Sequence, residues 1–270
     1  MTAPLRLTLM GASGRMGCAL IEGIIADPAL ELVGALTRPD DPLLGVDAGN
    51  QVGKASLGVV FSTEVEAAVA ACDVVVDFSR PAATLAVVAA CQAARKPIVI
   101  GTTGFDADGR AKLEAATASI GICQAANFSV GVNVCLGLLR TAARTLGPTY
   151  DVEVVEAHHR HKVDAPSGTA LSMARAVAAA GDHDLDAVAV YGRHGRTGER
   201  QQGSIGFSAV RGGDVVGDHT VMFLGDGERV EISHRASSRT TFSGGALRAA
   251  QWLAHQPPGR YDMRDVLGFE

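Results

Sequence analysis

Short apolar runs and helical patterns alternate through the first half of the chain. Leu5 to Met10 is a compact run of strand type, and Gly11-Ala12-Ser13-Gly14 follows it at once. Met16, Leu20, Ile24 and Ile25 then recur at helical spacing until Asp27-Pro28 ends the pattern. Leu32 to Leu36, Val59 to Phe61, Val74 to Val76 and Ile98 to Ile100 are further short apolar runs. Ala-rich helical segments lie between them, notably 64–71 and 82–94, the second opened by Pro81 at a first-turn position. Strands buried on both faces read as continuous apolar runs, and parallel neighbours are joined through helical crossovers. The pattern predicts an α/β fold, with a doubly wound, Rossmann-type parallel sheet filling roughly residues 1–128.

Beyond about Ser129 the texture changes. A helical pattern from Val130 to Leu146 precedes strand-type runs at 152–157, 188–191, 204–210, 219–224 and 229–234. Runs of strands with few helices between them predict a mixed or antiparallel sheet, hence a second, α+β domain over 129–240. Gly192 to Gly203 is polar and rich in Gly and Arg, and is expected to be a long mobile loop. Leu247, Ala250, Trp252 and Leu253 mark a final helix over about 242–254 that has to dock elsewhere.

Composition narrows the field without deciding it. Of the 270 residues 47% are hydrophobic and 20% charged, an ordinary globular balance. A net charge of −5 argues against a general nucleic-acid binder. The start lacks the charged and apolar regions of a signal peptide, and no apolar run is long enough to span a bilayer. Five scattered cysteines form no C-x-x-C pair, so neither a disulfide framework nor a structural zinc site is expected, and a reducing cytoplasm fits best.

Chemistry enters at two places. The first is Gly11-Ala12-Ser13-Gly14-Arg15-Met16-Gly17, lying between a predicted strand and a predicted helix. Glycines there let the backbone approach a pyrophosphate whose charge the helix start stabilises, although a plain strand-to-helix turn uses similar residues. The acid that normally holds the adenosine ribose at the end of the second strand is missing, because that strand ends Ala35-Leu36-Thr37-Arg38. Thr37 does not repel a 2′-phosphate, and Arg38 can pair with one unless it is merely solvated. NADPH is therefore expected to be at least accepted. Gly101-Thr102-Thr103-Gly104, after another strand, is placed to meet a nicotinamide or ribose, though a simple turn would need the same residues.

The second place is His158-His159-Arg160-His161-Lys162, followed by Asp164-Ala165-Pro166-Ser167-Gly168-Thr169. The adjacent Arg and Lys would oppose a dication, so no metal is expected; a solvated basic loop is the plainer alternative. Ser167-Gly168-Thr169 opens a helical run, and such a start receives carboxylates or phosphates. Together these residues predict a pocket for a small, multiply anionic substrate, with a His placed to move a proton.

The run from Glu156 to Ala170 resembles the signature stretch of the 4-hydroxy-tetrahydrodipicolinate (dihydrodipicolinate) reductases. Gly11 to Gly17, Gly101 to Gly104 and Ala125-Ala126-Asn127-Phe128-Ser129-Val130-Gly131-Val132-Asn133 resemble the family's other motifs, in the same order. The resemblance implies NADPH or NADH as cofactor and a small dicarboxylate as substrate. It also implies a homotetramer built through the second domain, and a C-terminal segment (241–270) returning to the first. It implies that His158 is the general acid and Lys162 a second catalytic proton donor. His159, Ser167, Gly168 and Thr169 correspond to substrate-binding positions. Gly11, Ala12, Ser13, Gly14, Arg15, Met16, Arg38, Gly101, Thr102, Thr103, Ala125, Ala126, Asn127 and Phe128 correspond to cofactor-contacting ones. Two rivals remain at this level. One is another two-domain dehydrogenase of a small acid, which would need fewer cations; the other is a non-catalytic dinucleotide sensor, which would need no His-Lys pair.

Overall fold

The computed structural model describes residues 3–238 and 240–269, which form two compact units. One runs to Val130 and resumes at Thr240; the other begins at Gly131. The first unit starts with β1 (Leu5–Met10), α1 (Arg15–Ala26), β2 (Leu30–Leu36), a short α2 (Ala48–Gln51) and β3 (Phe61–Ser62). It continues with α3 (Val65–Ala71), β4 (Val74–Asp77), α4 (Pro81–Ala94), β5 (Ile98–Ile100), α5 (Ala107–Ala116) and β6 (Gly121–Gln124). The second unit contains α6 (Val130–Leu146), β7 (Asp151–His158), α7 (Gly168–Ala180), α8 (Leu185–Val188), β8 (Ala189–Tyr191), β9 (Ile205–Arg211), β10 (Gly217–Leu224) and β11 (Arg229–Ala236). The chain then adds α9 (Thr240–Leu253), β12 (Gly259–Tyr261) and α10 (Met263–Leu267) to the first unit.

Seven strands form one sheet in the order β12-β6-β5-β4-β1-β2-β3, with every pair parallel. All three residues of β5 and all four of β4 are buried, as continuous apolar runs demand. One face of the sheet is covered by α1, α9 and α10, through Leu20, Ile21, Ile24, Leu247, Leu253 and Val266. The other is covered by α3, α4 and α5, through Val69, Val87 and Leu113. The strand order reverses between β1 and β4, and ligands of open α/β sheets bind beyond the carboxyl ends of strands at such a point.

The turn after β1 leaves no room for a side chain at Gly11 or Gly17. Gly11 has φ +79°, and a Cβ there would stand 2.5 Å from the Phe78 carbonyl oxygen. A Cβ on Gly17 would stand 2.1 Å from the carbonyl oxygen of Ala12, a backbone atom that cannot rotate away. Gly17→Ala is therefore expected to cost about 1–3 kcal/mol of stability, as overpacking against rigid neighbours does. Denaturant unfolding checks this, and an unchanged midpoint would contradict the close packing of α1 on its own turn.

The second unit holds a five-stranded mixed sheet in the order β11-β10-β7-β9-β8. β7 pairs antiparallel with β10 and parallel with β9. Its residues alternate strictly between half-buried and buried, and Val152, Val154, Glu156 and His158 share the buried face. Val132, Cys135 and Leu139 of α6 and Met173, Ala174 and Val177 of α7 pack with that face. Residues 192–203 have no helix or strand, yet they are not loose. Arg193 and Arg200 bond Glu153 at 3.0 and 3.1 Å, and Arg200 also bonds Asp151 at 2.7 Å.

Candidate active site

One candidate region, within the first unit, is the turn between β1 and α1. No side chain caps α1 at Gly14, and its first turn carries no acid, so the helix start is open to an anion. Gly14 and Arg15 are exposed, whereas Ala12 is fully buried and offers only its backbone. Beside this turn, the carbonyl of Asp77 accepts from Gly101 N at 2.8 Å. The Asp77 carboxylate is fully buried and accepts from the hydroxyls of Ser79, Thr84 and Thr102. Burial pushes its pKa up, and the three hydroxyls offset part of that. Thr102 thus faces inward and ties the ends of β4 and β5 together, while Thr103 is exposed. Phe78 lies edge-on to Phe128, with ring centroids 5.6 Å apart, and a Cβ on Gly101 would enter the Phe78 ring. Ala125 N bonds the Ile100 carbonyl, and Asn127 Oδ1 accepts from Ser129 N at 2.8 Å. These backbone-lined strand ends and the open helix start fit a dinucleotide.

A separate candidate region, within the second unit, gathers at the end of β7. His158 and Glu156 lie two residues apart on one strand, so both face the buried side; they are 8% and 1% exposed. His158 Nδ1 stands 2.6 Å from Glu156 Oε2. Arg211 closes β9 opposite His158 and grips both Glu156 oxygens at 2.7 Å, a paired fork. Ser167 N donates to Glu156 Oε1 at 3.1 Å. Burial works against the charged form of Glu156, but the Arg211 guanidinium and the His158 ring outweigh it and hold the carboxyl below its usual range. His219 of β10, opposite Glu156, completes the cluster, with its ring centroid 5.0 Å from that of His158. Burial, with neighbouring positive groups adding to it, pushes His219 down to about 4, so it is neutral at pH 7.

Ser167 caps α7: its hydroxyl oxygen accepts from Ala170 N at 3.1 Å and lies 2.9 Å from His219 Nε2. Gly168 is exposed and Thr169 half-buried at the start of that helix. Lys162 bonds both oxygens of Asp164, at 2.8 and 2.9 Å, and is 20% exposed. His159 is half-buried, with its ring centroid 6.2 Å from that of His161. Among the described residues no group of three His, Cys, Asp or Glu side chains is arranged to hold a metal ion. A cavity of about 410 Å³ in this unit, lined by Arg144, Tyr150, Val152, His183 and Phe223 among others, includes none of these residues. It opens at the start of β7, whereas His158 closes that strand.

Family models for the dihydrodipicolinate reductase N-terminus and C-terminus match residues 5–128 and 131–267. The chain belongs to the dihydrodipicolinate reductase family. It is 56% identical over 264 residues to the 4-hydroxy-tetrahydrodipicolinate reductase of Laribacter hongkongensis, covering 98% of each chain. It is 55% identical over 266 residues to that of Cupriavidus necator, covering 98% of this chain and 100% of the other. Among solved structures, the dipicolinate-bound dihydrodipicolinate reductase of Paenisporosarcina sp. TG-14 superposes with a TM-score of 0.78. That match covers 96% of this chain and 97% of that one at 24% identity, which speaks to the fold. Membership makes the chain an oxidoreductase with a dinucleotide-binding Rossmann unit.

Within this reductase, the second unit brings His158, Ser167 and the α7 start into one cluster. The sequence reading did not single out Glu156, Arg211, His219, Asp77 or Asp41 as site residues. Glu156 carried a usable signal, because residues i and i+2 of a strand share a face. Arg211 and His219 arrive from other strands, where only the register reveals them.

Proposed function

We propose that this chain reduces 4-hydroxy-tetrahydrodipicolinate to tetrahydrodipicolinate, with NADH or NADPH and one proton and with the 4-hydroxyl leaving as water, in lysine and diaminopimelate biosynthesis. The observation that carries the proposal is the buried His158–Glu156–Arg211 set beside the Ser167-capped start of α7. It joins a proton donor to an anion site, which is what a ring dicarboxylate requires. Relatives bearing that activity's name, alike over nearly the whole chain, support it.

When bound at the turn after β1, the dinucleotide supplies the hydride. The chain's own residues handle the proton and the carboxylates. Glu156, kept ionised by Arg211, takes the Nδ1 proton of His158 as a hydrogen bond and leaves Nε2 as the nitrogen that gives its proton away. Neutral His219 adds no positive charge beside the ring before that transfer. Lys162, His159 and the Gly168-Thr169 start of α7 hold the two carboxylates, Lys162 sharing or exchanging its bond to Asp164. Lys162 also serves as the second proton donor.

Gly11 to Met16, Gly101 to Thr103 and Ala125 to Phe128 hold the dinucleotide, largely through backbone. NADPH is accepted through Arg38, whose side chain is 61% exposed beside Asp40 and carries the charge that a 2′-phosphate would pair with. We also propose a cytoplasmic homotetramer. The sheet face turned away from α6 and α7 carries Val155, Val210, Met222 and Leu224, with Val210 54% exposed, which suits burial against further copies. Among the described residues no helix is long and apolar enough to cross a membrane.

Calorimetric titration of the NADH-saturated protein with pyridine-2,6-dicarboxylate and with pyridine-2-carboxylate tests the substrate class. Binding of the diacid with little response to the monoacid is expected. Equal binding of both would favour a dehydrogenase of a monoanionic acid instead.

A further inference from the structure

The second strand ends without an acid, yet the fold supplies one. Asp41 sits beyond β2, and its Oδ2 accepts from the hydroxyls of Ser13 and Thr37, each at 2.6 Å. The two hydroxyl oxygens are 2.7 Å apart, and Asp41 Oδ1 accepts from Leu43 N at 3.0 Å. Ser13 belongs to the glycine turn and Thr37 directly follows β2. The carboxylate therefore stands where sheets of this kind meet the adenosine ribose of a dinucleotide.

The charge at this spot is settled. Hydrogen bonds from Ser13, Thr37 and the Leu43 amide bring Asp41 down to about 2, so it is an anion at any working pH. Of roughly four acceptor positions on a carboxylate, these contacts leave about one for a further donor. A ribose 2′-hydroxyl is such a donor. A 2′-phosphate offers only oxygens and carries negative charge toward the same group. Arg38 is a weak counterweight, because its exposed guanidinium already lies 3.2 Å from Asp40.

We infer that Asp41 sets the nucleotide preference: it accepts from the adenosine ribose and disfavours a 2′-phosphate, so NADH is preferred while Arg38 keeps NADPH acceptable. This rests on the dinucleotide-dependent reading above. The acid usually placed at the strand end is supplied four residues beyond Thr37, held in place by two hydroxyls.

Two ligand pairs test it, each differing only by the 2′-phosphate: NADH against NADPH, followed by fluorescence, and 5′-AMP against adenosine 2′,5′-bisphosphate, followed by calorimetry. At low salt the wild-type protein is expected to bind the unphosphorylated member of each pair about tenfold more tightly, the size of one extra like-charge contact. Salt should narrow the gap. Asp41→Asn and Asp41→Ser should close most of it by tightening the phosphorylated ligand, and Arg38→Ala should widen it. A ratio unchanged in both Asp41 variants, or a wild-type preference for the phosphorylated ligands, would overturn the inference while leaving the reductase intact. If the folded protein bound neither dinucleotide nor fragment, the dinucleotide reading itself would fail and take this inference with it.

Discussion

Replacing His158 with Gln is expected to lower kcat by about 10²–10⁴-fold, the usual worth of a positioned proton donor, with KM little changed. Glu156 keeps Arg211 and Ser167 as partners, so the cluster should survive the change, while a Gln amide at the place of Nε2 cannot give up a proton. What disappears is the proton on Nε2. His158 is 8% exposed and bonded at 2.6 Å to a carboxylate fixed by Arg211, so its ring has one orientation to lose. Steady-state kinetics across pH supply a second check: the limb of the kcat profile that reports the acid should flatten in the variant. A variant with wild-type kcat would remove His158 from the chemistry and leave Lys162 as the donor.

Arg211→Met should destabilise the protein by about 3–5 kcal/mol near pH 7, because it leaves a buried carboxylate without its partner. Glu156 is 1% exposed and accepts from Arg211, His158 and Ser167, and Arg211 contributes both fork contacts. The pH dependence gives the sign. In the wild type Glu156 is held below its unfolded value, so its stabilisation is present above that value and is lost as pH falls through the folded one. Without Arg211, burial dominates and raises the carboxyl, so the variant loses stability as pH rises past the unfolded value. The gap between wild type and variant should therefore be smaller near pH 4.5 than near pH 7. Adding Glu156→Gln to Arg211→Met should recover part of the loss, since no buried charge then remains. Urea unfolding at the two pH values reads all three, and a gap independent of pH would contradict the ion-pair account.

Much of the fold could be read directly from patterns. β1, β5 and α6 have the bounds their apolar runs and helical spacing predict, because burial on both faces or on one helical stripe leaves a clear periodic mark. β6 and β12 left none. Gly121-Ile122-Cys123-Gln124 is short, with only two apolar side chains between a Gly and a Gln, and Gly259-Arg260-Tyr261 is an edge strand whose place comes from its partner. The segment 192–203 looked unable to pack, yet Arg193 and Arg200 fasten it to acids of β7 through pairs that no local pattern predicts. The site divides in the same way. His158, Lys162 and the Ser167-Gly168-Thr169 start stand close together along the chain and were visible there. Arg211 and His219 depend on strand register, and Asp41 on a Pro-flanked turn that folds the acid back onto Ser13.

The central claim is a substrate-dependent reductase. The most direct measurement is a coupled absorbance assay, in which a synthase condenses pyruvate with aspartate semialdehyde and this protein is added with NADH or NADPH. The account predicts cofactor oxidation that requires the condensation product, with a higher kcat/KM for NADH. No oxidation by protein shown to bind the cofactor would contradict it and leave a different acid, or a sensor of the nucleotide, as the better reading.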